Sequence, residues 1–354
     1  MDQKRRKLLL GAPALFIPSA LLRSDEEAPL VAEKKPVTEI TEESRIAVGK
    51  GNKWLRRAFN RDGSFGIDIG QPPDIGCTAV VGLSLLAQGN TLLEGPHSAM
   101  LKDMTGYLLR CIDAMPSDDI TSAMNTQLQR KIGRHAHSFF AATFLAQVLG
   151  QGWADEQIRP ALGKLLATIA KMQTPNGSWA GEAWAPVLGQ VMGWISLRAG
   201  NNAGYKVEGS AIKVADYLVK LMEKNIGDRG GGWMMALYKN ATGVRVLHTM
   251  GRDKEKIAKD ALQGVFQLVT RDMQAFTNAG GEEYLAFHLI TETLLQRGGD
   301  EWGRWFPVVR DKMIKTQNAD GSWTGKHCIT SRVFCTAAAI LVLSAPNRYL
   351  PISQ

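Results

Sequence analysis

The chain is short of the residues that would tie it to several common architectures. Four cysteines in 354 residues are too few and too scattered for a disulfide scaffold. Strand-type alternation of Val, Ile and Thr is nearly absent, which excludes a β-rich domain. Nothing after Leu22 is apolar for long enough to cross a membrane. There is no phosphate loop, dinucleotide fingerprint or Ser-His-Asp arrangement. The formal charge of +8 is partly a property of one end: residues 1–23 hold Lys4, Arg5, Arg6, Lys7 and Arg23 against Asp2. The remainder carries no basic run interleaved with aromatics, so a nucleic-acid partner is not expected.

That basic end is itself informative. Lys4 to Lys7 (KRRK) precede the apolar stretch Leu8 to Leu22, which is short for a membrane span and is interrupted by Pro13 and Pro18. The pattern is that of a signal peptide over residues 1–23, and Arg5-Arg6-Lys7-Leu8-Leu9 resembles a twin-arginine signal. Export to the periplasm or beyond is expected, with an uncleaved membrane anchor as the alternative. Residues 24–41, rich in Glu, Pro and Lys, read as a flexible lead-in to a domain over residues 42–354.

Length alone suggests about two domains, but internal repeats point to one. A glycine turn ending in an aromatic recurs: Asp62-Gly-Ser-Phe65, Asn176-Gly-Ser-Trp179, Gly230-Gly-Gly-Trp233 and Asp320-Gly-Ser-Trp323. Six small-residue apolar helices are expected at 74–88, 135–149, 186–199, 242–250, 283–297 and 331–344. Between them lie six amphipathic, charged segments at 42–59, 97–115, 155–173, 208–226, 254–273 and 301–317. The period is that of a two-helix unit, and closure after six units removes the exposed ends of an open solenoid. The expected fold is all-α, an α/α toroid (α6/α6 barrel) of six helical hairpins.

The Q-x2-DGSW turn (Gln317, then Asp320 to Trp323) and its weaker copies resemble the prenyltransferase and squalene-oxidase repeat of terpenoid cyclases and protein prenyltransferases. The ending Cys335 to Pro351 is similar to that of exported bacterial members of this family. The resemblance implies a central cavity for an apolar or isoprenoid-like ligand, a hydrophobic small molecule or lipid, without implying catalysis. The D-x-D-D acid of cyclases and a D-D-x-x-D diphosphate site are both missing; Asp118-Asp119 is the only Asp pair. The prenyltransferase likeness implies zinc held at neighbouring helix starts, for which Asp74, Cys77, His327, Cys328 and Cys335 are the available set. Buried free thiols or a disulfide across the seam are the other readings of the same cysteines. No other cofactor is expected.

In a closed ring the six inner helices run the same way, so their N-termini and positive dipole ends meet at one rim. Arg134, His135, His137, Trp184, Tyr238, Arg245 and Arg332 are expected to line it as ligand-binding residues, unless they merely cap helices. Tyr284, His288 and Glu292 fall on one face of the fifth inner helix and could hold a general acid or base. Two other classes compete with the ligand-binding toroid. One is a non-catalytic scaffold with a protein partner. The other is a carbohydrate-active α6/α6 barrel, for which Glu182 with Glu283 is the carboxyl pair to nominate.

The export expectation has a direct check. Replacing Arg5 and Arg6 by Lys should hold the precursor inside the cell, seen by fractionation and immunoblotting; normal export of that variant would remove the twin-arginine assignment.

Overall fold

The computed structural model describes residues 39–115, 126–180, 183–224, 232–271 and 274–350. The signal segment, residues 24–38 of the lead-in, Asp118-Asp119, Glu182 and Gly230 lie outside these ranges. In chain order the helices are α1 (Glu42–Ala58), α2 (Ile75–Leu86), α3 (Ser98–Asp113), α4 (Gln127–Lys131), α5 (Ala136–Val148), α6 (Asp155–Lys171) and α7 (Pro186–Asn202). They continue as α8 (Glu208–Lys224), α9 (Gly232–Thr249), α10 (Lys256–Arg271), α11 (Gln274–Thr277), α12 (Gly281–Arg297), α13 (Gly299–Lys315) and α14 (Arg332–Ser344). Among the described residues β pairing is limited to two isolated bridges, Phe59 with Phe65 and Gln173 with Trp179. No helix there is long and apolar enough to cross a membrane.

The inner helices α2, α5, α7, α9, α12 and α14 pack in that order, and α14 returns to α2. The ring is closed. Its inner members are largely enclosed by protein, and in α2 all twelve residues are buried. The outer helices α1, α3, α6, α8, α10 and α13 are amphipathic. In α1, Ala47, Gly51, Trp54, Leu55 and Ala58 face inward, at the three- and four-residue spacing of a helix with one buried face.

The repeated turn holds neighbouring hairpins together. After α13, the Gln317 side-chain amide donates to Gly321 O (2.9 Å) and to Ala47 O of α1 (2.8 Å). After α6, Gln173 makes the same pair of bonds to Gly177 O (2.8 Å) and Ser210 O of α8 (2.9 Å). Gly177 and Gly321 both have left-handed φ (+93° and +94°), and a Cβ on either would lie 2.2 Å from Lys213 O or 2.6 Å from Lys50 O. Only glycine allows both the conformation and the approach. The closing tryptophan then plugs the hairpin. Trp323 is fully buried, its indole N–H donates to Met313 O (2.9 Å) and its backbone N–H to Thr336 Oγ1 (2.9 Å). Trp179 repeats this with Ile169 O and Gln190 Oε1.

Two expectations about the elements need correction. The fourth inner helix begins at Gly232 rather than at 242, because Gly232 and Trp233 enter the helix instead of forming a separate aromatic turn. The short helices α4 and α11 were not anticipated. The end of the lead-in is also tied down: Glu39 accepts from Trp302 Nε1 (2.7 Å), and its carbonyl accepts from Arg310 (3.4 Å). Thr41 then caps α1 through a reciprocal bond with Ser44.

Replacing Trp323 by Ala should cost ~3–5 kcal/mol in urea unfolding, the usual range for deleting a large buried aromatic. A loss below about 1 kcal/mol would show that the turn is not a packing anchor.

Candidate functional site

Among the described residues, α2, α5, α7, α12 and α14 enclose a cavity of about 30 Å³, lined by apolar side chains such as Val80, Phe140, Met192 and Phe334, with Thr143, His288 and Glu292 as the polar members. A void of that size has room for little more than a water molecule, whereas ligand pockets commonly span about 300–1,000 Å³. This cavity cannot take an isoprenoid or lipid, so the expected ligand finds no room in it.

His288 and Glu292 meet as their spacing predicts, Nε2 to Oε1 at 3.4 Å. Arg245 of α9 joins them, 3.6 Å from Glu292 Oε2. Burial lowers the His288 pKa, with Arg245 acting the same way and Glu292 opposing, so the imidazole is neutral and the charge pair is Arg245 with Glu292. Tyr284 does not belong to this group. It packs edge-on against Phe287, and its hydroxyl bonds Thr316 at the end of α13. Arg245 also leaves the rim set, since α9 starts ten residues earlier than expected and places it thirteen residues into the helix, about 20 Å along its axis.

The rim itself holds two buried groups. In one, Asp74 caps α2 by accepting from Cys77 N (2.8 Å), and its Oδ2 lies 3.5 Å from His137 Nε2 of α5. Thr126 Oγ1 is 3.0 Å from the same imidazole nitrogen. Burial pushes the Asp74 pKa upward, but His137 and the Cys77 amide together outweigh it, and the carboxyl is held below its usual value. Cys77 Sγ approaches Ser331 Oγ, the cap of α14, at 3.6 Å. All four cysteines are free thiols, so the disulfide alternative is not realised.

The other group forms where α12 begins. Glu282 and Glu283 are both 0 % exposed. Glu283 Oε2 accepts from Gly280 N (2.6 Å), its Oε1 accepts from the Tyr238 hydroxyl of α9, and His327 Nε2 stands 3.5 Å away. Glu282 Oε2 accepts from Ile329 N (3.1 Å), the Cys328 thiol bonds the same carboxyl, and Oε1 is buried without a hydrogen-bond partner. Part of this is ordinary helix capping. Capping does not account for the second carboxyl or for the tyrosine. Burial, with the Glu283 charge adding to it, raises Glu282 to about 7. Glu283 accepts from Tyr238 and Gly280, whereas one oxygen of Glu282 has no partner, so burial bears hardest on Glu282. Burial and Glu282 in turn push the Cys328 thiol up to about 11. Cys328 has a left-handed φ of +51°, a conformation that costs a non-glycine residue energy and marks a constrained loop.

The five residues expected to hold zinc are divided between these groups. Asp74 and Cys77 sit with His137, while His327 and Cys328 sit with the glutamates and the buried Cys335 thiol lies against Ile329 O (3.7 Å); among the described residues no three His, Cys, Asp or Glu side chains are arranged to hold a metal ion. Arg332 is turned away from the rim. It stacks over Trp54 at 4.7 Å and pairs with Asp320 and with Asp68 (3.6 Å), bracing the DGSW turn. His135 is buried beside Phe139, and Arg134 is exposed. Trp184 is 47 % exposed, the nominated Glu182 falls outside the described residues, and Glu282, which the sequence places among the polar residues at the inner-helix starts, had no chemical role assigned to it. The GGEE run of 280–283 was its one sequence signal.

No family model matches the chain, and no curated protein matches it in sequence. Among solved structures, it is similar to an inactive variant of a GH76 α-1,6-mannanase of Salegentibacter sp. HEL1_6 in complex with α-1,6-mannotriose. The TM-score is 0.58 at 10 % identity, covering 87 % of this chain and 100 % of that one. A second structure of the GH76 α-1,6-mannanase from the same organism gives 0.55 at 8 % identity with the same coverage. At such identities the likeness is one of fold. The fold is thus the helical barrel of these glycoside hydrolases, and the resemblance to prenyltransferases and terpenoid cyclases is corrected accordingly.

The raised Glu282 pKa predicts a pH dependence of stability. A carboxyl raised in the folded state contributes stability that is complete below its unfolded value of 4.5 and is lost as pH rises through the folded value. Between about pH 4.5 and 7 the wild type should lose on the order of 3 kcal/mol relative to Glu282→Gln. Denaturation curves for the two proteins that run parallel across this range would refute the shift.

Proposed function

We propose that the chain is a carbohydrate-active α6/α6 barrel that binds a glycan at the N-terminal rim of its inner helices and hydrolyses it there. The observation that carries this reading is the Glu282–Glu283 pair, two buried carboxyls at the start of α12 on the rim, of which Glu282 is raised to about 7. Glycoside hydrolysis needs a division of labour between two carboxyls, an acid to protonate the leaving oxygen and a carboxylate to serve as base or nucleophile. Glu282 is the acid in this scheme and Glu283, held by Tyr238 and Gly280, the carboxylate. Water is the only co-reactant, and no cofactor is called for. Likeness to mannanases supports a glycan, and an export signal suits a polymer met outside the cell.

The mannanase variant was inactivated at two consecutive aspartates, and this chain has one such pair, Asp118-Asp119. The test therefore compares two sets of variants on a panel of α-linked oligosaccharides, α-1,6-mannotriose included, reading release of reducing ends. Glu282→Gln and Glu283→Gln should each lower turnover by about 10²-fold or more. Loss of turnover only in the Asp118→Asn, Asp119→Asn double variant would keep the hydrolase and move its chemistry to the aspartates. A protein that neither binds nor cleaves any glycan would leave the scaffold reading, which the small enclosed cavity also favours.

A further inference from the structure

We propose that Trp184 and Lys131 form a sugar subsite at the mouth of the rim that selects a pyranose bearing an acidic group. The proposal rests on the glycan reading above and concerns what kind of glycan is taken.

Of the nine tryptophans, Trp184 alone is among the exposed large hydrophobic residues. Its position is nevertheless fixed. Trp184 N donates to Arg130 O (3.4 Å) and Ala185 N to Lys131 O (2.7 Å), so the segment before α7 is fastened to the end of α4. An indole held open to solvent on a rigid backbone is a stacking platform, and the C–H face of a pyranose is its natural occupant. The Lys131 ammonium lies 5.6 Å from the centre of that indole ring. A cation over an exposed ring is held by only about 0.5–1 kcal/mol, so a sugar can take its place while the ammonium moves to an anionic substituent.

Lys131 also faces the reactive end. One turn earlier on α4, Gln127 Nε2 donates to Thr330 Oγ1 (3.0 Å) in the loop whose Ile329 amide holds Glu282, and the Lys131 charge reaches the Cys328 thiol of that loop. Platform, cation and carboxyl pair therefore belong to one stretch of rim. The charges fastened to the Trp184 segment are basic: Arg130, exposed, and Lys131, half-buried, while the carboxyls of Asp74, Glu282 and Glu283 are buried. An incoming ligand meets the basic side chains first, and an acidic glycan is attracted where a basic one is repelled. Lys131 supplies the charge selection and Trp184 the ring recognition.

The test is calorimetric titration of the full-length mature chain with three probes: a galacturonate trisaccharide, a sulfated trisaccharide and neutral α-1,6-mannotriose. The wild type should bind at least one acidic probe about 10-fold or more tightly than the neutral one in low salt, with the gap closing near 0.5 M salt. The preferred acidic probe distinguishes a carboxylate from a sulfate. Lys131→Met should abolish the preference and leave neutral binding in place, Lys131→Arg should restore it, and Trp184→Ala should weaken all three probes. Equal binding of acidic and neutral sugars by the wild type, or a preference that survives in Lys131→Met, overturns the subsite while leaving the glycan reading intact. Unchanged binding in Trp184→Ala overturns the platform. Failure to bind any glycan removes both proposals together.

Discussion

The structure depends on one small interaction repeated and finally turned back on its beginning. The Gln317 amide bridges its own turn and the Ala47 carbonyl, and Gly321 lies against the Lys50 backbone. The same device at Gln173 and Gly177 joins hairpins in the interior of the chain. At Gln317 it joins the last hairpin to the first. No sheet or long loop could close the ring, and an open solenoid would leave an inner helix such as α14 with an apolar flank in water. The turn holds the last outer helix against the first, and α14 then finds α2.

Closure has consequences for chemistry. Parallel inner helices bring their capping groups to one rim, so residues far apart in sequence, such as Tyr238, Glu283 and His327, come into contact. The apolar faces that make the ring stable also crowd its interior, where the cavity they enclose spans about 30 Å³. Polar groups deep in the ring are thereby committed to each other, as Arg245, Glu292 and His288 are. At the rim, a buried carboxyl raised to about 7 lies close to side chains that meet solvent. Glu283 is held in place by Tyr238 and the Gly280 amide, and Glu282 by the Ile329 amide of the constrained loop after Cys328. The resemblance read from the DGSW turns identified the right architecture and the wrong chemistry, because the turn is the fastening of a helical ring and has no part in what the ring does.

The sequence by itself determined the six hairpins, the burial of the inner helices and the role of Trp179 and Trp323. These depend on local periodicity, on glycine's access to left-handed φ and on where an indole ends an amphipathic segment. His288 with Glu292 was legible for the same reason, since four residues on a helix are one turn. The rest was decided by tertiary structure. A longer α9 took Arg245 from the rim to the interior, Arg332 turned outward to stack on Trp54, and the expected zinc residues separated into two groups. Glu282 could not be told from an ordinary first-turn glutamate until Ile329 and Cys328 covered it. A side chain's type is encoded locally, but its pKa and its partners are set by the low-dielectric surroundings that distant segments provide.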